Sequence, residues 1–186
     1  MSRVVIVPGL HNSGPQHWQS LWQRRLPNSL RVEQQRWDVP DLKCWSDNVL
    51  DVLNALDASG EDCWIVAHSF GCLASVYALQ QARSNVRGLF LAAPADPQKF
   101  AVADLLPAGS LSIPGRLIGS RSDPWLAWEH AEQWAQRWRL PIVCAGDAGH
   151  INVESGHGLW PEGWREFQKL QAAAQLPSHR YLALAI

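Results

Sequence analysis

Cys63-Trp64-Ile65-Val66-Ala67 is an unbroken apolar run, and a helical pattern from Phe70 to about Arg83 follows it with almost no loop. A strand that is apolar on both faces has to be covered on both faces, which is the situation of an inner strand in a parallel sheet. Elsewhere short apolar runs alternate with stretches of three-to-four periodicity, in keeping with such a sheet. Ser2–Val7, Leu30–Trp37, Val86–Ala93, Gly115–Gly119 and Pro141–Ala145 read as further strands. A helix is expected after Asn12-Ser13-Gly14-Pro15, with Ser13 as its N-cap and Trp18, Leu21, Trp22 and Leu26 as its apolar stripe. Ser46 is expected to cap a second, carrying Val49, Leu50, Leu53 and Leu56 and ending near Ser59–Gly60. Trp125–Trp138 and Trp160–Gln171 are expected to be helical, and Pro177–Ile186 is left unassigned. The alternation predicts an α/β fold: a six-stranded, mainly parallel, doubly wound sheet of order 2-1-3-4-5-6 with helices on both faces.

With 186 residues and neither a repeat nor a linker, the chain is expected to form one domain, 1–186. Its 47% apolar and 18% charged residues exclude disorder. Net charge is −1 and the basic residues are scattered apart from Arg24–Arg25, so no nucleic-acid partner is expected. No apolar run nears the ~20 residues of a membrane span, and Val4–Val7 is too short for a secretory leader. A cytoplasmic protein is the expectation. Cys44, Cys63, Cys72 and Cys144 lack C-x-x-C spacing and are expected to be buried thiols. The 11 tryptophans suit both a core and the apolar walls of a pocket.

Chemistry concentrates at Ala67-His68-Ser69-Phe70-Gly71, where small residues stand two before and two after a serine. A strand that becomes a helix within one strained residue leaves no room for side chains at those flanks. This is the steric requirement of the α/β-hydrolase nucleophile elbow, and the context here, buried strand then helix, is the one that motif demands. The other reading is a small-residue turn with a helix-capping serine. His68 should point away from the hydroxyl and is assigned to packing.

A serine nucleophile needs a base and an acid, which in this fold follow it in the order acid, histidine. His150 lies just after the last predicted strand, placed to take the Ser69 proton and return it to a leaving group. His157, seven residues on, and His130, within a predicted helix, are the competitors. Asp123 follows the strand Gly115–Gly119, and Pro124 holds it in an extended loop where it can fix the imidazole tautomer. Its alternative job is to cap the helix expected at Trp125, and Asp96 and Asp147 are rivals. The order of strands reverses between the first and third, so the loop Pro8-Gly9-Leu10-His11-Asn12-Ser13-Gly14 faces Ser69. The amides of Leu10 and Phe70 would form an oxyanion hole. His11, Asn12, Trp125 and Trp128 are expected to contact substrate, and His17 is a further candidate for the mouth. Phe100, Val102, Leu105 and Leu106, in the long connection Pro94–Pro114, are expected to rim the pocket. No H-E-x-x-H or other metal-ligand spacing occurs, no dinucleotide or P-loop fingerprint occurs, and no metal or cofactor is expected.

With these residues the chain resembles the small serine hydrolases that include the YdeN-like bacterial proteins and retinoblastoma-binding protein nine. The likeness runs from Val4 to about Leu170, through Pro8-Gly9, Gly14-Pro15-Gln16-His17-Trp18, Ala67-His68-Ser69-Phe70-Gly71, Asp123-Pro124 and Gly149-His150. Ala67 stands where the general motif has glycine. The resemblance implies a compact α/β-hydrolase without a large cap domain, with Ser69, Asp123 and His150 as its triad. The expected function is carboxylesterase-like hydrolysis of small esters, or amides, through an acyl-enzyme. The alternative is a binding or scaffold protein on the same fold with little catalysis.

Overall fold

The computed structural model describes residues 2–82 and 85–175. The helix expected over Phe70 to about Arg83 ends at Ala78; Arg83 itself and the unassigned tail 177–186 lie outside the described residues. Six strands form one sheet: β1 (Arg3–Val7), β2 (Ser29–Arg31), β3 (Cys63–Ser69), β4 (Val86–Pro94), β5 (Gly115–Gly119) and β6 (Ile142–Cys144). Their order is β2-β1-β3-β4-β5-β6, and every neighbouring pair is parallel. The helices are α1 (Trp18–Arg25), α2 (Leu42–Ala58), α3 (Phe70–Ala78), α4 (Trp128–Trp138) and α5 (Pro161–Ala174).

Successive residues of each inner strand go to opposite faces, as the pleat requires. Val5, Val7, Ile65, Ala67, Leu89, Leu91 and Leu117 join a core with α2, α3 and α4. Val4, Ile6, Trp64, Val66, Phe90, Ala92 and Ile118 join one with α1 and α5. The second core is built on aromatic rings: Trp22 lies 4.7 Å from Trp18, 5.0 Å from Trp164 and 6.0 Å from Phe167 between centroids. The first two pairs are edge-to-face and the third stacked, geometries that add about 0.5–1.5 kcal/mol per pair beyond area burial. Most tryptophans therefore serve the core. Among the described residues no helix is long and apolar enough to cross a membrane.

Several boundaries differ from expectation, each for a local reason. Strand β2 is only Ser29–Arg31, not Leu30–Trp37. Past Val32, whose amide still reaches the Ile6 carbonyl, the polar run Glu33–Arg36 leaves the sheet, and the Trp37 carbonyl takes the His11 amide instead. Helix α1 is capped by His17, whose Nδ1 accepts from the Gln19 amide, and not by Ser13. Asp41 rather than Ser46 caps α2, accepting from the Cys44 amide at 3.0 Å. Helix α4 starts at Trp128 rather than Trp125, because Asp123 binds the Trp125 amide at 2.9 Å in a turn of its own. Cys63 and Cys72 are buried, but Cys44 and Cys144 are exposed thiols. In the long connection after β4, Val102 and Leu106 are buried in the main core, Phe100 packs on Phe70 at 5.0 Å, and Leu105 is exposed. That connection holds one short 3-10 turn, Ala103–Leu105, and no cap domain.

Candidate active site

Ser69 ends β3 and precedes α3, with φ 52° and ψ −126°. Such a conformation costs a non-glycine residue about 1–3 kcal/mol and persists only where the surroundings hold it. Here they do. A Cβ on Gly71 would stand 2.3 Å from the Pro8 carbonyl oxygen and 2.6 Å from that of Val7, so only glycine lets α3 start this close to β1. Across the turn, a Cβ on Gly9 would stand 2.7 Å from the Ser69 Cβ. The loop after β1 therefore closes on Ser69 at Gly9, where only a glycine leaves room. Ala67 is fully buried.

The loops after β5 and β6 complete the cluster. His150 Nε2 lies 2.9 Å from Ser69 Oγ, and His150 Nδ1 lies 3.0 Å from both Asp123 oxygens. The Asp123 side chain is 2% exposed and that of His150 10%, so water competes little for these contacts. Asp123 is both the partner of the imidazole and the acceptor of the Trp125 amide, but it does not cap a helix, since α4 begins only at Trp128 with Ala127 as its N-cap. The rivals are occupied elsewhere. His157 Nδ1 sits 3.2 Å from Ser155 Oγ, His130 lies 3.5 Å from Asp96, Asp96 also accepts from the Gln98 amide, and Asp147 is exposed.

Four successive residues of the His150 loop are tethered by side chains of other elements. Ser120 Oγ accepts from the Ala148 amide and Ser122 Oγ from that of Gly149, while His68 Nε2 lies 2.9 Å from the His150 carbonyl and Trp18 Nε1 donates to that of Ile151. On the other side, Arg31 braces the loop after β1, donating to Asn12 Oδ1, the Ser13 carbonyl, Ser20 Oγ and Gln23 Oε1. Gln19, fully buried, donates to the carbonyls of Val7 and Val66 and ties the carboxyl ends of β1 and β3 together. Sequence reasoning missed all of these except His68 and Trp18, which it read as packing only. A histidine inside an apolar strand carries a signal, because a buried ring nitrogen needs a partner; Arg31 and Gln19 carry none.

The expected substrate contacts divide. Trp125 is 50% exposed with its ring 6.2 Å from that of His150, and Lys99 holds its loop through the carbonyls of Pro124 and Trp125. His11 is exposed on the loop after β1. Asn12 is used internally, its Oδ1 accepting from Arg31 and from the Ser13 amide, and Trp128 packs over Gly119. Both side chains are half-buried, with these groups already engaged within the fold. His17 is buried under the site, its ring 4.8 Å from His68. Among the described residues no group of three His, Cys, Asp or Glu side chains is arranged to hold a metal ion.

Burial, with help from Arg31 and His150, pushes His17 down to about 3; burial likewise holds His68 well below the ordinary histidine value. The unfolded chain takes up these protons near pH 6.5 while the fold refuses them, so stability is complete above that pH and falls below it. The slope is about 1.4 kcal/mol per pH unit for each histidine, continuing to about pH 3 for His17. Urea midpoints measured at pH 7, 5.5 and 4.5 should fall steeply, and His17→Asn, which keeps a capping oxygen, should flatten the trend. Parallel pH dependence in the two proteins would remove His17 as its source.

A family model described as Serine hydrolase matches residues 4–169. A candidate YdeN-like hydrolase of Pectobacterium atrosepticum is 35% identical, with a TM-score of 0.87 over 95% of this chain and 94% of that one. The ydeN product of B. subtilis is 19% identical, with a TM-score of 0.76 over 92% of this chain and 100% of that one. Est1E of Butyrivibrio proteoclasticus, solved with ferulic acid bound, is 16% identical, with a TM-score of 0.71 over 93% and 90%. At these lower identities the likeness is one of fold. No curated protein sequence matches the chain.

Proposed function

Because the chain belongs to the serine hydrolase family, we propose that it is a carboxylesterase-like enzyme that cleaves small esters, and amides less readily, through an acyl-enzyme on Ser69. The observation that carries this reading is the unbroken line from Ser69 Oγ through His150 to Asp123, with separations of 2.9 and 3.0 Å. His150 Nε2 takes the Ser69 proton as Oγ attacks the carbonyl carbon. Asp123 accepts from Nδ1–H, which keeps the lone pair on Nε2 and steadies the imidazolium. The developing oxyanion is held by the Leu10 amide and by the Phe70 amide, the latter at a helix start where N–H groups lack intrahelical acceptors. Each such donor is worth about 10²–10³ in rate. As the intermediate collapses, the imidazolium returns its proton to the leaving alkoxide. Water then enters, gives its proton to His150, and releases the acid and Ser69. Esters are favoured because an alkoxide needs less acid assistance than an amine. Trp125 offers an apolar wall beside the leaving group.

A fluorophosphonate probe tests the reading. Covalent labelling of the wild-type protein, absent from folded Ser69→Ala, is the expected result. A folded wild type that resists labelling would point instead to a binding protein on the hydrolase fold.

A further inference from the structure

We propose that His68 is a positioning residue: its Nε2–H holds the backbone carbonyl of His150 and so aims that imidazole at Ser69. This rests on the reading of Ser69 and His150 as nucleophile and base. The residue immediately before the serine thereby serves the base through the opposite face of the sheet.

A carbonyl oxygen only accepts, so the 2.9 Å contact between His68 Nε2 and the His150 carbonyl requires the proton on Nε2 of His68. The tautomer is thereby set. The ring is 5% exposed and stands edge-on to His17 at 4.8 Å, and burial keeps both imidazoles neutral. The donor is therefore permanent and brings no second positive charge toward His150, whose ring centroid is 4.8 Å away.

The backbone it holds is left-handed on both sides of His150, at a glycine that tolerates it and at an isoleucine that does not. Gly149 has φ 55° and Ile151 has φ 47°, and a β-branched residue in that region is an outlier that needs restraint. The restraint comes from two aromatic N–H donors on different elements: His68 of β3 takes the carbonyl of residue 150, and Trp18 of α1 that of residue 151. Of the four side-chain tethers on this loop, only that from His68 reaches the main chain of His150 itself. Without it the peptide after His150 keeps only the longer bond from the Ile151 amide to the Ala148 carbonyl, at 3.2 Å, and the imidazole can drift from its line between Ser69 and Asp123. Packing alone does not explain a histidine here, since Trp18, Trp22 and Trp160 already build an apolar face that a leucine or methionine would join.

His68→Gln and His68→Met have side chains of equal length, but only glutamine ends in an N–H donor that can reach the same carbonyl. With p-nitrophenyl acetate, the methionine variant should lose about a hundredfold in kcat with KM nearly unchanged, the scale of a misplacement of about 1 Å. Glutamine should recover most of that loss. Should the methionine variant fail to fold, His68→Asn, whose amide falls one methylene short, takes its place against glutamine. Wild-type kcat in the methionine variant, or a glutamine variant no better than its donor-less counterpart, overturns the proposal. A readout independent of turnover is the proton NMR resonance of His150 Nδ1–H shared with Asp123, expected in wild type and the glutamine variant and lost in the methionine variant. A labelled wild type with unmoved His68 variants defeats this inference alone. An unlabelled wild type in which the resonance still depends on the residue 68 donor defeats the esterase reading and leaves the positioning intact.

Discussion

Ser69→Ala should lower kcat on a small ester by about 10⁶, the scale seen when a serine protease loses its nucleophile. Turnover above the uncatalysed reaction should persist at about 10³–10⁴, from the oxyanion amides and binding. The substitution removes a single oxygen and leaves the fold alone, since alanine fits wherever the Ser69 Cβ fits against Gly9. No neighbour can take over. Cys72, the nearest thiol in sequence, is fully buried, points its Sγ at the Ala92 carbonyl, and is pushed well above the ordinary thiol range by burial. Initial rates on p-nitrophenyl acetate, with protein free of host esterase, decide the matter. Activity within a hundredfold of wild type would sink the nucleophile assignment.

Asp123→Asn should cost about 10⁴ in kcat with little change in KM. The reason lies in how the carboxylate is shared. One oxygen accepts from the Trp125 amide, and both oxygens lie 3.0 Å from His150 Nδ1. An asparagine keeps its oxygen toward Trp125 and turns its NH₂ toward Nδ1, which must then accept. The imidazole proton moves to Nε2 and faces Ser69 Oγ, so the base has no lone pair where it needs one. The turn survives, and with it the fold. A loss of less than tenfold would show that the tautomer is set by something other than Asp123.

Much of this was legible in the chain because it depends on steric or periodic rules. The apolar run Cys63–Ala67, the small residues around Ser69, and the placement of His150 and Asp123 after strands all follow from how a strand becomes a helix or a loop. The parallel sheet followed from the same alternation, and its observed order is the one expected. What stayed hidden depends on choices among equals. Ser13 and Asp41 are both good caps by chemistry, yet the first donates to Gln19 and the second caps α2. Leu30–Trp37 alternates weakly, but its polar middle follows the site loop once the Trp37 carbonyl has taken the His11 amide. The Arg31 brace and the Ser120 and Ser122 tethers join residues distant in sequence, and no local pattern marks them. His68 lay in plain view as a polar residue in an apolar strand, and the question of where its ring nitrogen goes was the missing step.

The two outermost strands, β2 and β6, contribute three residues each. A border that short offers few unsatisfied main-chain groups, so the molecule is a poor seed for fibre growth by sheet extension. Among the described residues, self-association at high concentration is therefore governed by side chains rather than sheet extension, and the central strands that carry the chemistry stay shielded from it.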